Sequence, residues 1–81
     1  MTVRVQFFSW FKDLAGCAET TMSIPAGCSL GQLHEQVLAR FPRLAPAARS
    51  TLLAVGVDYQ TRDYVLKDGD EVSLFPPVQG G

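Results

Sequence analysis

Residues 29–42, SLGQLHEQVLARFP, decide how the rest of the chain is read. Ser29 and Gln32 stand at the S-x-x-Q spacing of a capping box, in which each side chain satisfies a backbone donor at a helix start. Leu30, Leu33, Val37, Leu38 and Phe41 then recur at helical intervals and form one apolar stripe. Pro42 ends the helix, because the residue before a proline is driven out of the α region. An amphipathic helix with one apolar side needs a second layer to bury it.

The flanking sequence supplies strands for that layer. Val3, Val5 and Phe7 alternate with Thr2, Arg4 and Gln6, the period of a strand buried on one face. Phe8 falls on the polar side of that strand, and Trp10 joins it. Ser9 to Ala15 reads as a short helical turn or loop ending at Gly16. Thr20 to Ile24 is a second strand, with Thr20, Met22 and Ile24 on one face and Pro25 as its stop. The two strands are close enough in sequence to form a hairpin with an elaborated connection.

Beyond the helix, Leu44 to Ser50 holds a short helical turn limited by Pro46. Leu52 to Val55 is a strand, which Val57 to Tyr59 is expected to continue past Gly56. A turn at Lys67-Asp68-Gly69-Asp70 leads into Glu71-Val72-Ser73-Leu74-Phe75. There Val72 and Leu74 share one face and Ser73 and Phe75 the other. The fold class is α+β, a mixed sheet covered by one main helix.

Composition narrows the function. With 81 residues the chain fits a single domain, and 47% hydrophobic against 19% charged residues is globular rather than disordered. Seven basic and eight acidic residues leave a net charge of -1 with no basic block, so a nucleic-acid role lacks electrostatic support. No apolar run approaches the roughly 20 residues that span a bilayer, and the opening residues do not have the layout of a signal peptide. The expected location is cytoplasmic, with Cys17 and Cys28 reduced. One histidine and two scattered thiols make no ligand cluster, so no metal and no bound cofactor are expected. His34 is predicted to be a solvent-facing helix residue rather than a catalytic base. Cys17 and Cys28 read as structural rather than sulfur-relaying, and Asp68 and Asp70 as turn residues around Gly69.

The chemistry concentrates at the end, Phe75-Pro76-Pro77-Val78-Gln79-Gly80-Gly81. The two prolines cannot donate to a sheet ladder, so pairing stops there and the exit is extended. Gly80 and Gly81 have no Cβ, so the end is thin enough for a narrow channel and finishes in an unencumbered carboxylate. Chain ends are often simply frayed. At average glycine usage a Gly-Gly end arises about once in 200 chains, which is weak support on its own. The stiff Pro-Pro spacer directly after a strand strengthens it.

Taken together, the strand-strand-helix-strand-strand order, the Asp-Gly-Asp-Glu-Val turn and the Phe-Pro-Pro-Val-x-Gly-Gly end resemble the small subunit of molybdopterin synthase, the MoaD family. The similarity runs the whole length and is most specific from Asp68 to Gly81. Thiamine-pathway sulfur carriers and ubiquitin are broader relatives sharing the β-grasp fold. The family commonly has Ala-Val-Asn where this chain has Ala54-Val55-Gly56, a departure confined to the turn at Gly56 and Val57.

The resemblance implies a ubiquitin-like β-grasp domain over residues 1–75 and an extended tail over residues 76–81. It implies a sulfur carrier: the Gly81 carboxylate is adenylated, sulfur replaces AMP, and the thiocarboxylate gives its sulfur to a pterin precursor in molybdenum cofactor biosynthesis. ATP is used by the activating enzyme, a ubiquitin-activating-enzyme-like adenylyltransferase. Catalysis belongs to the synthase large subunit, making this chain a non-catalytic sulfur donor. Pro76, Pro77, Val78, Gln79 and Gly80 present the reactive end. Phe8, Tyr59 and Phe75, placed away from the helix-covered core, are the expected partner interface. A sulfur carrier for another pathway and a ubiquitin-like protein modifier are the alternatives.

Overall fold

The computed structural model describes residues 1–77. Strand β1 is Thr2–Phe7. Val3, Val5 and Phe7 point inward, each no more than 1% exposed, as the alternation requires. Helix α1, Phe11–Ala15, fills the connection and ends at Gly16, whose φ of 78° is the left-handed conformation that glycine adopts cheaply. Strand β2, Glu19–Ser23, returns antiparallel to β1, with Thr2 opposite Ser23 and Gln6 opposite Glu19. Met22 and Ile24 are buried and Thr20 is half-buried, so the predicted face holds.

Helix α2 is Leu30–Arg40. Both halves of its capping box form: Ser29 Oγ accepts from the Gln32 N–H at 3.1 Å, and Gln32 Oε1 accepts from the Ser29 N–H at 2.9 Å. Such a cap is worth about 1 kcal/mol. Leu30, Leu33 and Val37 are fully buried against the sheet, and Leu38 and Phe41 pack at its margin. The Phe41 ring meets Phe7 edge-on, with centroids 5.1 Å apart.

His34 departs from expectation. It is 1% exposed and packs inside, not toward solvent. Position 34 lies four residues after Leu30 and three before Val37, squarely on the buried stripe. One of its two ring nitrogens is accommodated by Arg62, whose Nη1 lies 3.0 Å from His34 Nδ1.

The segment after Pro42 is a 3-10 helix over Pro42–Ser50, longer than the short turn the sequence suggested. Pro46 removes an amide donor within it, which opposes a regular α ladder, while buried Leu44 anchors it. Strand β3 follows at Leu52–Val55 and β4 at Asp58–Tyr59. Residues Val57 to Tyr59 do not prolong β3. The chain reverses at Gly56 and Val57, and β4 pairs back antiparallel with Val55 opposite Asp58. Gly56 takes a φ of 62° at the first turn position, where a two-residue hairpin needs a positive φ.

Strand β5, Glu71–Phe75, enters the middle of the sheet. It runs parallel to β1 and antiparallel to β3, giving the order β2-β1-β5-β3-β4. Asp68 and Asp70 build its entry. Asp68 Oδ1 accepts from the Thr2 N–H and Asp70 Oδ2 from the Lys67 N–H, both at 2.9 Å, while the Gly69 N–H donates to Thr2 O. Two flanking hairpins, a central parallel pair and one covering helix make the ubiquitin-like β-grasp fold.

Candidate functional site

The uncovered face of the sheet carries the candidate site. Val72 and Leu74 of β5 point to the core, so Ser73 and Phe75 face the other way. In the parallel register Phe7 lies beside Leu74, and the Phe8 N–H donates to Leu74 O at 3.1 Å. One step further on each strand, Phe8 and Phe75 therefore become neighbours on the open face. Their rings stack with centroids 4.5 Å apart and planes 16° from parallel.

Tyr59 arrives from the other side. Phe75 is paired with Leu52, and Ala54 with Tyr59. Tyr59 thus sits diagonally across β3 from Phe75, with centroids 6.2 Å apart at 68°. The three predicted interface residues form one continuous aromatic row over three strands. Tyr59 is 68% exposed and Phe8 37%, while Phe75 between them is half-buried. Ala54 and Ser73, though on the open face, are each only 6% exposed and form the floor of the row. The strand alternation contained the signal for that floor: with Leu53 and Val55 inward, Ala54 had to face out.

The same face is charged at its far end. Arg4 bonds Glu19 at 2.6 Å and lies 3.6 Å from Glu71. Arg4 on β1 and Phe8 just past its end are four residues apart, about 13 Å of extended chain. The aromatic end coincides with the exit of the chain: β5 finishes at Phe75, and half-buried Pro76 and Pro77 follow. Val78, Gln79, Gly80 and Gly81 lie outside the described residues.

Trp10, which the sequence placed on the side of Phe8, is 44% exposed and packs edge-on against buried Phe11 at 4.8 Å. Ser9, between Phe8 and Trp10, has a φ of 56°, unusual for a residue with a Cβ.

The other titratable candidates sit elsewhere. An arginine only donates, so His34 Nδ1 must accept and the ring proton is on Nε2, which is buried without a partner. Burial, helped by the Arg62 charge, lowers the His34 pKa to about 4, which keeps the ring neutral. Cys28 is buried, and desolvation raises its thiol pKa, opposite to what a nucleophilic thiolate needs. Cys17 is half-buried, and both thiols are free. Among the described residues no three His, Cys, Asp or Glu side chains gather as a metal site, and no helix is long and apolar enough to cross a membrane.

Known proteins resemble this chain over nearly its whole length. A model of the ThiS family matches residues 5–81. A molybdopterin synthase sulfur carrier subunit of Chlamydomonas reinhardtii is 32% identical over 84 residues, covering 100% of both chains. A solved Pyrococcus furiosus structure, a putative molybdopterin converting factor subunit 1, superposes with a TM-score of 0.88 at 31% identity, over 96% of this chain and 99% of that one. A complex of subunits 1 and 2 of the Helicobacter pylori molybdopterin-converting factor gives a TM-score of 0.72 at 27% identity, over 100% of both chains.

Proposed function

This chain belongs to the ThiS family, and from that premise we propose that it is the sulfur-carrier small subunit of a molybdopterin synthase, working in the cytoplasm. Its partners are the synthase large subunit and an ATP-using adenylyltransferase. The observation that carries the reading is the Phe8–Phe75–Tyr59 row, at the point where the chain leaves the sheet toward Gly81.

The row and the tail divide the work. Carboxylate oxygen is a poor leaving group, so the Gly81 carboxylate must first be activated. In adenylation by the partner the carboxylate attacks the α-phosphate of ATP and releases pyrophosphate, giving a mixed anhydride, and hydrosulfide-level sulfur then displaces AMP to leave a thiocarboxylate. That sulfur is soft and nucleophilic, suited to attack an electrophilic carbon of a pterin precursor. A dithiolene holds two sulfurs, so two charged carriers are consumed per product. The described residues contribute no acid or base to this chemistry. Their part is to hold the tail root on a rigid strand while the aromatic row docks on the partner, and the Pro76-Pro77 spacer directs the last residues into the partner's pocket. One surface serving both partners makes the two complexes mutually exclusive.

Mass spectrometry of the protein from its own cells tests the reading. A gain of about 16 Da on the C-terminal peptide, from sulfur in place of oxygen, is expected. Isopeptide-linked conjugates instead would point to a protein modifier. Deleting Gly81, or adding one residue after it, is expected to abolish sulfur delivery with the thermal melt unchanged. A variant of either kind that still supports cofactor synthesis overturns the assignment of the chemistry to Gly81.

A further inference from the structure

A second feature borders the aromatic row. Tyr59 forms one wall of a shallow groove of about 480 Å³ whose lining also includes Arg49, Thr51, Leu52, Gln60 and Arg62. The groove joins the end of the 3-10 helix to the β3–β4 hairpin, so it continues the proposed docking face around the sheet edge.

Its charge is unlike that of the rest of the chain. Between Glu35 and Asp58 the sequence carries Arg40, Arg43 and Arg49 and no acidic residue, within a protein of net charge -1. Among the described residues Arg4 makes both ion pairs, and neither Arg49 nor Arg62 has a carboxylate partner. Arg62 is instead held in place by neutral groups, with Nη1 at 3.0 Å from His34 Nδ1 and Nη2 donating to Ala48 O at 3.3 Å. That second bond sets its guanidinium beside the peptide preceding Arg49. Two of its five N–H donors are used, and the others remain available. The nearby carboxylates do not neutralise the pair. Asp63 accepts from the Thr61 hydroxyl, and among the described residues neither Asp63 nor Asp58 forms an ion pair with Arg49 or Arg62.

We infer that this groove receives an acidic segment of the same protein that grips the aromatic row, the synthase large subunit, with carboxylates placed between Arg49 and Arg62. The chemistry fits on three counts. Arg49 and Arg62 line the same groove, and an anion seated there is attracted to both. Arginine presents a planar donor fork that matches a carboxylate. The apolar stems of glutamates suit the Leu52 and Leu53 part of the lining. Continuity through Tyr59 lets a single partner cover row and groove together. The inference rests on the function proposed above and adds the charge of the partner surface to it.

Titration calorimetry with the large subunit of the same organism separates the two claims. At about 50 mM salt, Arg49→Glu is expected to weaken binding about tenfold, and Arg49→Gln about threefold. At about 500 mM salt both deficits shrink to less than about twofold, because screening removes the electrostatic part. Lys67→Glu makes the same charge change in the loop that leads into β5, where Lys67 lies over the Tyr64 ring. It is expected to stay within about twofold of wild type at both salts. Equal losses for Arg49→Glu and Lys67→Glu would reduce the effect to net charge and overturn the groove. So would no loss in either Arg49 variant while Phe75→Ala still weakens binding. No binding by the wild-type protein overturns the functional reading, and the groove with it.

Discussion

The two faces of the sheet are built from the same strands and obey opposite rules. On the inner face Val3, Val5, Phe7, Val72 and Leu74 are each no more than 1% exposed and meet the equally buried Leu30, Leu33 and Val37 of α2. Every large side chain there is covered, and what matters is volume. On the outer face the buried residues are small, Ala54 and Ser73, while the large ones, Phe8 and Tyr59, stand over them partly in solvent. An outer face required only to stay soluble would carry polar residues along its whole length, as it does around Arg4, Glu19 and Glu71. Apolar rings kept in water at one end are the surface that the proposed docking would bury.

The largest effect expected from breaking this contrast is on the inner side. Leu33→Ala removes a fully buried side chain beneath the sheet and should cost about 2–5 kcal/mol of stability, measured by urea unfolding. Truncating an outer ring should cost much less stability and instead weaken partner binding. A Leu33→Ala loss below about 1 kcal/mol would mean that the inner face is not the close-packed layer described.

The inner face has one polar member, and pH probes it. His34 has a folded pKa of about 4 against an ordinary value of 6.5. Between those values the unfolded chain binds the proton and the folded chain does not. Stability is therefore complete above about pH 6.5, falls as pH drops toward 4, and loses no more from this residue below that. The full loss is about 3 kcal/mol. His34→Gln has a carbonyl that can accept from Arg62 and does not titrate, so its unfolding free energy should lack this component. Identical pH slopes for the two proteins would remove His34 as the source.

Much of the fold was legible because its signals are local. The alternation of β1, the Ser29–Gln32 box and the Pro42 stop are each written within a few residues, and each formed as read. His34 was misjudged although the spacing from Leu30 to Val37 places it inside, because its polarity argued for solvent. The residue that accommodates it, Arg62, lies 28 positions away in the β4–β5 connection, and no periodicity reveals such a partner. The hairpin at Gly56 was missed for a related reason. An apolar run interrupted by one glycine reads as a strand whether it continues or turns back, and the pairing of β4 with β3 decides. Phe8 and Phe75 follow from strand phasing, whereas Tyr59 reaches the same face only through the reversal at Gly56 that pairs it with Ala54. The row's continuity across β3 also needs the sheet order, which places β5 between β1 and β3.

The smallest effect tests whether the outer row acts as a unit. Phe8 and Phe75 come from sequence-distant strands and are stacked before any partner arrives. An aromatic pair of this geometry contributes about 0.5–1.5 kcal/mol beyond the area it buries. A double-mutant cycle with Phe8→Ala and Phe75→Ala, read once by unfolding and once by binding to the large subunit, separates two roles for that energy. A pre-ordered row gives a stability coupling of about 1 kcal/mol in the free protein. It also gives binding losses that are less than additive, since removing either ring already loosens the other. Additive losses in both measurements would make the rings independent contacts that happen to touch. The outer face would then be a collection of separate residues, while the inner face alone behaves as a cooperative layer.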